Sequence, residues 1–325
     1  MKHVGKSYDK VDAKGILSGK PSYTGDFVPK DALIIKVLRS PHAQARIKSI
    51  DTSKAKLIPG VEAIFTYEDV PNTRFTLAGQ TYPEPSAYDA LILDPVVRYV
   101  GDEVALVVAK DEATALKAMP LIKVEYEVQK PVLDLRTAMD HETVVHPEDD
   151  ILNHIPVGQD YKRNICVSYH KRVGDIEAEL AKCDYVVEGT YFDQATRQSA
   201  MEPFQSFGYI DHLGRIVIVS STQIVFHVRR HIARALGIPA SKIRVIKPRI
   251  GGGFGSKQTA CTELMTAFVT WKLQKPCYLL YDRTEAQTCS TTRHAREWYI
   301  RVGATKDGII QVIDMDSITD AGAHA

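Results

Sequence analysis

Residues 243–258 read IRVIKPRIGGGFGSKQ, a strand-like apolar run followed by a cluster of glycines. Three consecutive glycines after a strand leave the backbone unshielded by bulky side chains, so its N–H groups can approach an anion or a cofactor closely. Upstream, residues 215–223 read RIVIVSSTQ, a second apolar run that ends in polar residues. If both predicted strands point the same way, Gln223 and the glycine loop (residues 251–255) converge, as ligand sites do in α/β sheets.

The glycine loop matches neither common nucleotide-binding fingerprint. A P-loop places glycine directly before lysine, whereas Ser256 separates Gly255 from Lys257 here. The pattern G-x-G-x-x-G also fails, because its third glycine position is Ser256 or Gln258, depending on the starting glycine. Two readings remain open: a helix N-terminus that receives an oxyanion, and a tight turn that requires positive φ.

The rest of the chain alternates strand-like and helix-like segments, which predicts a mixed α/β (α+β) fold. Strands are predicted over residues 32–38, 43–50, 103–109, 121–126, 184–191 and 309–315. Helices are predicted over residues 111–118 (with Asp111 as N-cap), 176–180, 225–236 and 257–273, the last one amphipathic. Loss of apolar periodicity over residues 131–160 predicts a connector between domains at 1–130 and 161–325.

The composition is that of an ordinary globular protein of 325 residues, with 44% hydrophobic residues, 25% charged residues and a net charge of +1. This balance favours neither nucleic acid nor a membrane as a partner. The sequence has no apolar run of 18 residues and no apolar signal-peptide core, so we expect a cytoplasmic protein. Five scattered cysteines without a C-x-x-C pair predict no iron–sulfur cluster and no zinc site in this chain.

The wider pattern resembles the xanthine dehydrogenase/aldehyde oxidase family of molybdenum hydroxylases. It is most similar to the N-terminal part of the molybdenum-binding subunit of bacterial xanthine dehydrogenases. Besides the glycine loop, the matching segments are Tyr23-Thr24-Gly25-Asp26, Arg39-Ser40-Pro41-His42-Ala43, Pro59-Gly60-Val61, Val100-Gly101-Asp102-Glu103, Ser220-Ser221-Thr222-Gln223, Arg229-Arg230, Leu236-Gly237-Ile238-Pro239, Arg244-Val245-Ile246-Lys247, Arg283-Thr284-Glu285 and Arg293-His294. The resemblance implies an α/β-hammerhead domain over residues 1–130 and an incomplete molybdopterin-binding domain over residues 161–325.

The resemblance also implies roles for individual residues. Gln223 matches the glutamine whose amide lies beside the molybdenum, and Gly253, Phe254 and Gly255 match the loop whose backbone approaches the cofactor. Gln258 stands where purine-oxidising members often carry a substrate-contacting glutamate, and its amide can both donate and accept but does not titrate. No residue of the chain is expected to ligate the metal directly. The simpler readings are a polar strand end for Gln223, core packing for Phe254 and a solvent-facing helix start for Gln258.

Other candidate residues favour structural readings. Glu202 lies among apolar residues and is interpreted as a structural hydrogen-bond acceptor. His227 and His231 are four residues apart on a predicted helix, but no third ligand accompanies them, so we interpret them as surface or interface histidines. Arg229 and Arg230 can approach a phosphate, with at least one of them facing solvent.

The resemblance also implies a reaction and a set of partners. A molybdenum–molybdopterin cofactor, in a dinucleotide form, is expected to hydroxylate a purine with oxygen from water, and [2Fe–2S] and FAD partner subunits are expected to carry the electrons away. The general-base glutamate of the family is expected beyond residue 325, so no catalytic residue is expected in this chain. A second molybdopterin-binding chain then completes the site, if the polypeptide is split. The alternatives are a hydroxylase for another N-heterocycle or an aldehyde, and a truncated, non-catalytic remnant.

Overall fold

The computed structural model describes residues 2–77 and 81–324. The strands are β1 (Leu33–Arg39), β2 (Ala45–Asp51), β3 (Val61–Phe65), β4 (Val96–Val97), β5 (Glu103–Ala109), β6 (Lys123–Val128), β7 (Tyr185–Asp193), β8 (Gln205–Ile210), β9 (Ile216–Ser220), β10 (Ile243–Ile246), β11 (Cys277–Leu280), β12 (Arg296–Ala304) and β13 (Ile310–Thr319). The helices are α1 (Ala13–Leu17), α2 (Ser53–Lys56), α3 (Glu112–Ala118), α4 (Ile176–Leu180), α5 (Val225–Leu236), α6 (Glu263–Leu273) and α7 (Arg283–Thr288). The mixed α/β class predicted from the sequence is confirmed.

A seven-stranded mixed sheet in the order β10-β9-β8-β11-β1-β5-β3 forms the centre of the molecule. Its strands come from both predicted domains, and they join where β1 runs parallel to β11, with Leu33 beside Cys277. Helices α5 and α6 bury their apolar side chains, including Ile232 and Phe268, in the main core over this sheet. The domain boundaries at residues 130 and 160 stay a prediction, and the central sheet extends across them.

Two three-stranded sheets flank the central sheet, in the orders β4-β2-β6 and β13-β12-β7. Helix α4 covers one face of the second sheet, where a Cβ on Gly303 would lie 2.6 Å from Cys183 Sγ. Because side chains alternate across a strand, the pairing register places a mostly apolar set on the opposite face. This apolar sheet face consists of Val187, Tyr191, Ile300, Ile313 and Met315. Four of these five side chains are 55–64% exposed.

Local signals place most of the predicted helices. Asp111 accepts a hydrogen bond from Thr114 N at 2.8 Å and so caps α3, as predicted. Helix α5 spans Val225–Leu236 and ends at Gly237, whose φ of 65° is left-handed. The strand predicted over residues 121–126 instead spans Lys123–Val128. Among the described helices, none combines the length and apolarity needed to cross a lipid bilayer.

The amphipathic helix predicted over residues 257–273 is wrong in its first part and in its character. The helix begins at Glu263, after a single 3₁₀ turn over Ser256–Gln258 and four irregular residues. Lys257 turns inward to a carboxylate instead of starting a helix. From Glu263 to Thr270 every residue of α6 is buried, so the helix has no broad solvent-facing side.

Candidate functional site

The parallel pairing of β9 and β10 brings the end of β9 beside the glycine loop. Ile246 pairs with Val219 at the last position of this ladder, so both strands end at one edge of the sheet. Gln223 N donates to Lys257 O at 2.8 Å. A Cβ built on Gly253 would lie 2.5 Å from Gln223 Oε1, so the carboxamide lies directly against this glycine. The structure therefore brings Gln223 and the loop together, while their role in cofactor binding stays a prediction.

The glycine loop adopts a backbone conformation with several residues at positive φ. Gly252, Phe254 and Gly255 have φ values of 102°, 49° and 93°, a region that non-glycine residues enter only with strain. Phe254 is 76% exposed, so it is not core. Within residues 2–77 and 81–324, the amides of Phe254 and Gly255 donate to no protein acceptor. Accessible amides in such a turn fit the anionic groups of a pterin cofactor.

Glu202 anchors the base of the loop. Its Oε2 accepts hydrogen bonds from Gly251 N and Lys257 Nζ, both at 2.7 Å. Its Oε1 accepts from Gln205 Nε2 at 2.8 Å. The Lys257 side chain is 2% exposed and the Glu202 side chain 9% exposed. Glu202 therefore acts as the structural acceptor that the sequence interpretation assigned, and it fixes both ends of the glycine loop.

A large cavity opens beside the loop, with a volume of about 830 Å³. Gly255 and Gln258 line it, whereas Gln223, Gly253 and Phe254 are not among its lining residues. Its walls combine apolar side chains such as Phe75 and Leu264 with polar groups such as Glu103. The volume is in the range of small-molecule sites, roughly 300–1,000 Å³. Of the predicted cofactor residues, Gly255 therefore lines the same cavity as the predicted substrate residue Gln258, and the other three do not.

A partly buried cluster around Arg39 borders this cavity through Tyr99, Glu103 and Tyr281. We name it the arginine cluster (Arg39, Tyr99, Glu103, Tyr281 and Glu285). Arg39 donates to Glu103 Oε1 at 2.7 Å and to Glu285 Oε1 at 3.3 Å. The hydroxyls of Tyr281 and Tyr99 donate to Glu103 at 3.3 and 3.2 Å. Burial raises the pKa of Tyr281 well above its ordinary value, which keeps this donor protonated.

Sequence reasoning did not assemble the arginine cluster. Arg39 and Glu103 each belong to a segment that carries the family resemblance, but nothing in their spacing indicates that they pair. They meet because β1 and β5 are antiparallel, with Arg39 opposite Glu103 in the register. A single sequence does not show which strands pair over such a separation, so this contact could not be predicted from it.

The interpretation of His231 as a surface histidine is wrong. His231 is only 3% exposed, and neither of its ring nitrogens has a hydrogen-bond partner. Arg230 donates to Glu84 Oε1 at 2.6 Å and contacts His227 Nδ1 at 2.8 Å. The Arg230 guanidinium thus lies next to the Glu84 carboxylate. Burial lowers the pKa of His231 to about 4.

We expect His231 to make the protein less stable in mild acid. The unfolded chain binds a proton near pH 6.5, whereas folded His231 does so only near its lowered pKa of about 4. Stability is therefore full above pH 6.5 and falls as the pH drops from 6.5 to 4, by about 3 kcal/mol in total. Urea unfolding of the wild type and His231→Leu between pH 7.5 and 4.5 measures this. The variant should lose this slope; equal slopes in both proteins contradict the prediction.

The comparisons with known proteins agree with this architecture. Residues 18–130 match the family model "Aldehyde oxidase and xanthine dehydrogenase, a/b hammerhead domain", and residues 157–325 match "Molybdopterin cofactor-binding domain". The fold and the glycine loop thus define a molybdopterin-binding domain joined to an α/β-hammerhead domain. The chain belongs to the xanthine dehydrogenase/aldehyde oxidase family.

Three relatives illustrate the similarity. The "Probable hypoxanthine oxidase XdhD" of Escherichia coli (strain K12) is 38% identical over 345 residues, covering 99% of this chain and 36% of that protein. The nicotinate dehydrogenase large molybdopterin subunit of Eubacterium barkeri is 32% identical, covering 99% of this chain and 71% of that subunit. The structure of aldehyde oxidoreductase from Desulfovibrio gigas has a TM-score of 0.79 and 25% identity, covering 97% of this chain and 34% of that protein. The chain thus spans about a third of two of these proteins.

Proposed function

We propose that this chain supplies one wall of the molybdenum-cofactor site of a purine hydroxylase in the cytoplasm. One observation carries the proposal: the Gln223 carboxamide lies against Gly253, in a loop where the Phe254 and Gly255 amides have no acceptor among the described residues. The molybdenum cofactor, when bound, would supply the oxidation of a ring carbon with oxygen from water. The domain boundaries at residues 130 and 160 belong to the same proposal.

The residues of the chain would then bind and orient. Gln223 presents an uncharged amide that donates to oxygen ligands without adding charge, and the amides of Gly253, Phe254 and Gly255 receive the pterin side of the cofactor. The absence of a side chain at Gly253 keeps the Gln223 amide in place, because any Cβ there would displace it. Glu202 and Lys257 hold the loop rigid from below, and a rigid site loses less free energy on binding.

The cavity beside Gln258 is the proposed substrate site. A purine edge carries both hydrogen-bond donors and acceptors, and an amide matches both. The relative whose name includes hypoxanthine oxidase supports a purine substrate. A second candidate is another N-heterocycle, because Gln258 does not titrate and because the nicotinate dehydrogenase subunit matches this chain over 71% of its length.

The proposed partners follow from the electron balance and from an exposed surface. Oxidation releases electrons, which [2Fe–2S] and FAD subunits would accept, as the family resemblance implies. The apolar sheet face leaves Val187, Ile313 and Met315 more than half exposed, and exposed apolar patches of this kind mark contact sites. We propose that further molybdopterin-binding polypeptide covers the apolar sheet face. That polypeptide would also carry the general-base glutamate and contact a dinucleotide form of the cofactor.

The test is co-expression of the full chain with the products of its neighbouring genes. Molybdenum content is measured by mass spectrometry, and hydroxylation is assayed with xanthine, hypoxanthine and nicotinate. We expect Gln223→Ala to keep its molybdenum within about twofold and to lose roughly 100-fold in turnover, as is typical when one oriented donor is removed. Gln311→Ala is the matched control, because Gln311 is an exposed residue of β13 far from the loop.

Each result decides between the candidates. Molybdenum binding with purine turnover supports the proposal, and turnover of nicotinate alone replaces the purine by the second candidate. Protein that binds no molybdenum with any partner overturns the proposal and supports a non-catalytic remnant. Equal turnover in Gln223→Ala and Gln311→Ala removes Gln223 from the site.

A further inference from the structure

Three side chains that are distant in the sequence meet at one buried point outside the glycine loop. Asp89, His146 and His324 each present a ligand-type atom, and these atoms all lie within 4.8 Å of one another. Asp89 Oδ1 lies 3.4 Å from His324 Nδ1, and Asp89 Oδ2 lies 3.8 Å from His146 Nε2. Among the described residues, no other group of three His, Cys, Asp or Glu side chains is so arranged.

His146 is buried and His324 is partly buried, and neither imidazole has complete hydrogen bonding. His146 is 8% exposed, and the Nδ1 atoms of both His146 and His324 have no hydrogen-bond partner. A buried polar atom without a partner is unfavourable, and a ligand at His324 Nδ1 would satisfy one of these two atoms. The two rings are tilted by 54° with centroids 5.4 Å apart, so they are not stacked on each other.

A carboxylate stands behind His146 in the position that orients a metal-binding imidazole. Glu148 Oε2 lies 3.4 Å from His146 Nδ1. When Nε2 of a histidine binds a metal, a carboxylate in this place accepts from Nδ1–H and orients the ring. Glu148 is itself paired with Arg98. His146 Nε2 lies 2.6 Å from Ala323 O, so ion binding exchanges that hydrogen bond for a bond to the metal.

The charge around this point is unbalanced. Carboxylates outnumber arginines in this region. The arginines are Arg74 and Arg98, and the carboxylates are Asp89, Asp94, Asp102 and Glu148. None of these four carboxylates is more than 18% exposed. Buried charge is strongly unfavourable unless it is compensated, so a cation beside these carboxylates is favoured.

We propose that Asp89, His146 and His324 bind one divalent first-row transition ion. Two imidazoles and a carboxylate form a donor set typical of Zn²⁺ and its neighbours. Bonds of about 2.0–2.2 Å require ligand atoms spaced about 3.0–3.6 Å apart. The distance of 3.4 Å between Asp89 Oδ1 and His324 Nδ1 lies in this range, and the other ligand atoms, which lie within 4.8 Å, move closer when the ion binds. The ion fastens the segment around His324 to the loops that carry Asp89 and His146.

The test uses the purified full chain, stripped with a chelator and titrated with Co²⁺, whose visible absorption reports coordination by nitrogen and oxygen. We expect one Co²⁺ per chain, displaced by Zn²⁺, and a rise in Tm with the bound ion. Asp89→Asn and His324→Gln should each raise the Kd for Co²⁺ by more than about 100-fold. Glu148→Gln should weaken it by roughly 10–100-fold, the usual effect of an orienting partner. The control is His212→Gln, an exposed histidine elsewhere.

Far-UV circular dichroism of each variant separates loss of the site from loss of the fold. Stoichiometric Co²⁺ binding that is weakened by the ligand variants and not by His212→Gln supports the site. No saturable Co²⁺ binding by the wild-type chain, or equal binding by folded His324→Gln, shows an ion-pair cluster only and overturns the proposal. Neither result depends on molybdenum binding, so this test is independent of the proposed function.

Discussion

Replacing Glu202 by alanine is expected to lower the free energy of unfolding by about 3–5 kcal/mol, the usual cost of leaving one member of a buried ion pair alone. The change leaves the Lys257 ammonium, which is 2% exposed, without its carboxylate partner. It also leaves the Gly251 amide and the Gln205 side-chain amide without their acceptor. The glycine loop then loses its anchor, so we expect faster proteolysis near residue 255 as well as lower stability.

Urea unfolding followed by fluorescence measures the effect. The matched control is Glu62→Ala, because Glu62 pairs with Lys275 at 2.6 Å in an exposed position. Exposed pairs contribute about 0–1 kcal/mol, so the control should be nearly neutral. The double variant Glu202→Gln with Lys257→Met should recover most of the loss, since it removes the unpaired charge. If Glu202→Ala and Glu62→Ala have equal effects, Glu202 does not anchor the loop.

Replacing Arg39 by alanine is expected to cost a similar amount, about 3–5 kcal/mol. Its guanidinium joins Glu103 and Glu285 and lies 4.5 Å from the centroid of the Tyr281 ring. Arg39 and Glu103 belong to the hammerhead segment, whereas Tyr281 and Glu285 belong to the molybdopterin-binding segment. The variant should therefore destabilise both segments together, in one unfolding transition.

Two comparisons make this prediction specific. Arg39→Lys should retain part of the stability, because an ammonium keeps the charge but lacks the planar fork that reaches two carboxylates. Arg136→Ala is the control, since Arg136 pairs with Glu297 in an exposed position with 54% of its side chain accessible. Thermal unfolding of Arg39→Ala that matches that of Arg136→Ala contradicts the role assigned to the arginine cluster.

The sequence predicted those elements whose limits are set locally. Strand β5 and helix α5 have the predicted bounds, because a continuous apolar run marks β5 and Gly237 ends α5. The start of α6 could not be predicted in the same way. Lys257 reads as a helix residue, but its ammonium bonds to Glu202, far away in the sequence. A long-range ion pair overrides local helix propensity here.

Part of the candidate site was likewise predictable from local sequence, and part was not. Gln223 and the glycine loop each follow an apolar run, and parallel strands end at one edge, so their proximity was predictable. The arginine cluster and the group around His146 depend on contacts between distant segments. In these two places a residue's neighbours are set by tertiary packing, and periodicity gives no information about them.

The pairing of Leu33 with Cys277 has a consequence for the order in which the protein is made. On the ribosome, β1 emerges early and can pair with β5, but its other edge waits until β11 has been translated. At typical synthesis rates this delay lasts roughly 10–50 s. Throughout that time the nascent chain presents an open strand edge, which invites pairing with other chains. Chaperone capture, and fast translation between these strands, should therefore improve the yield of folded protein.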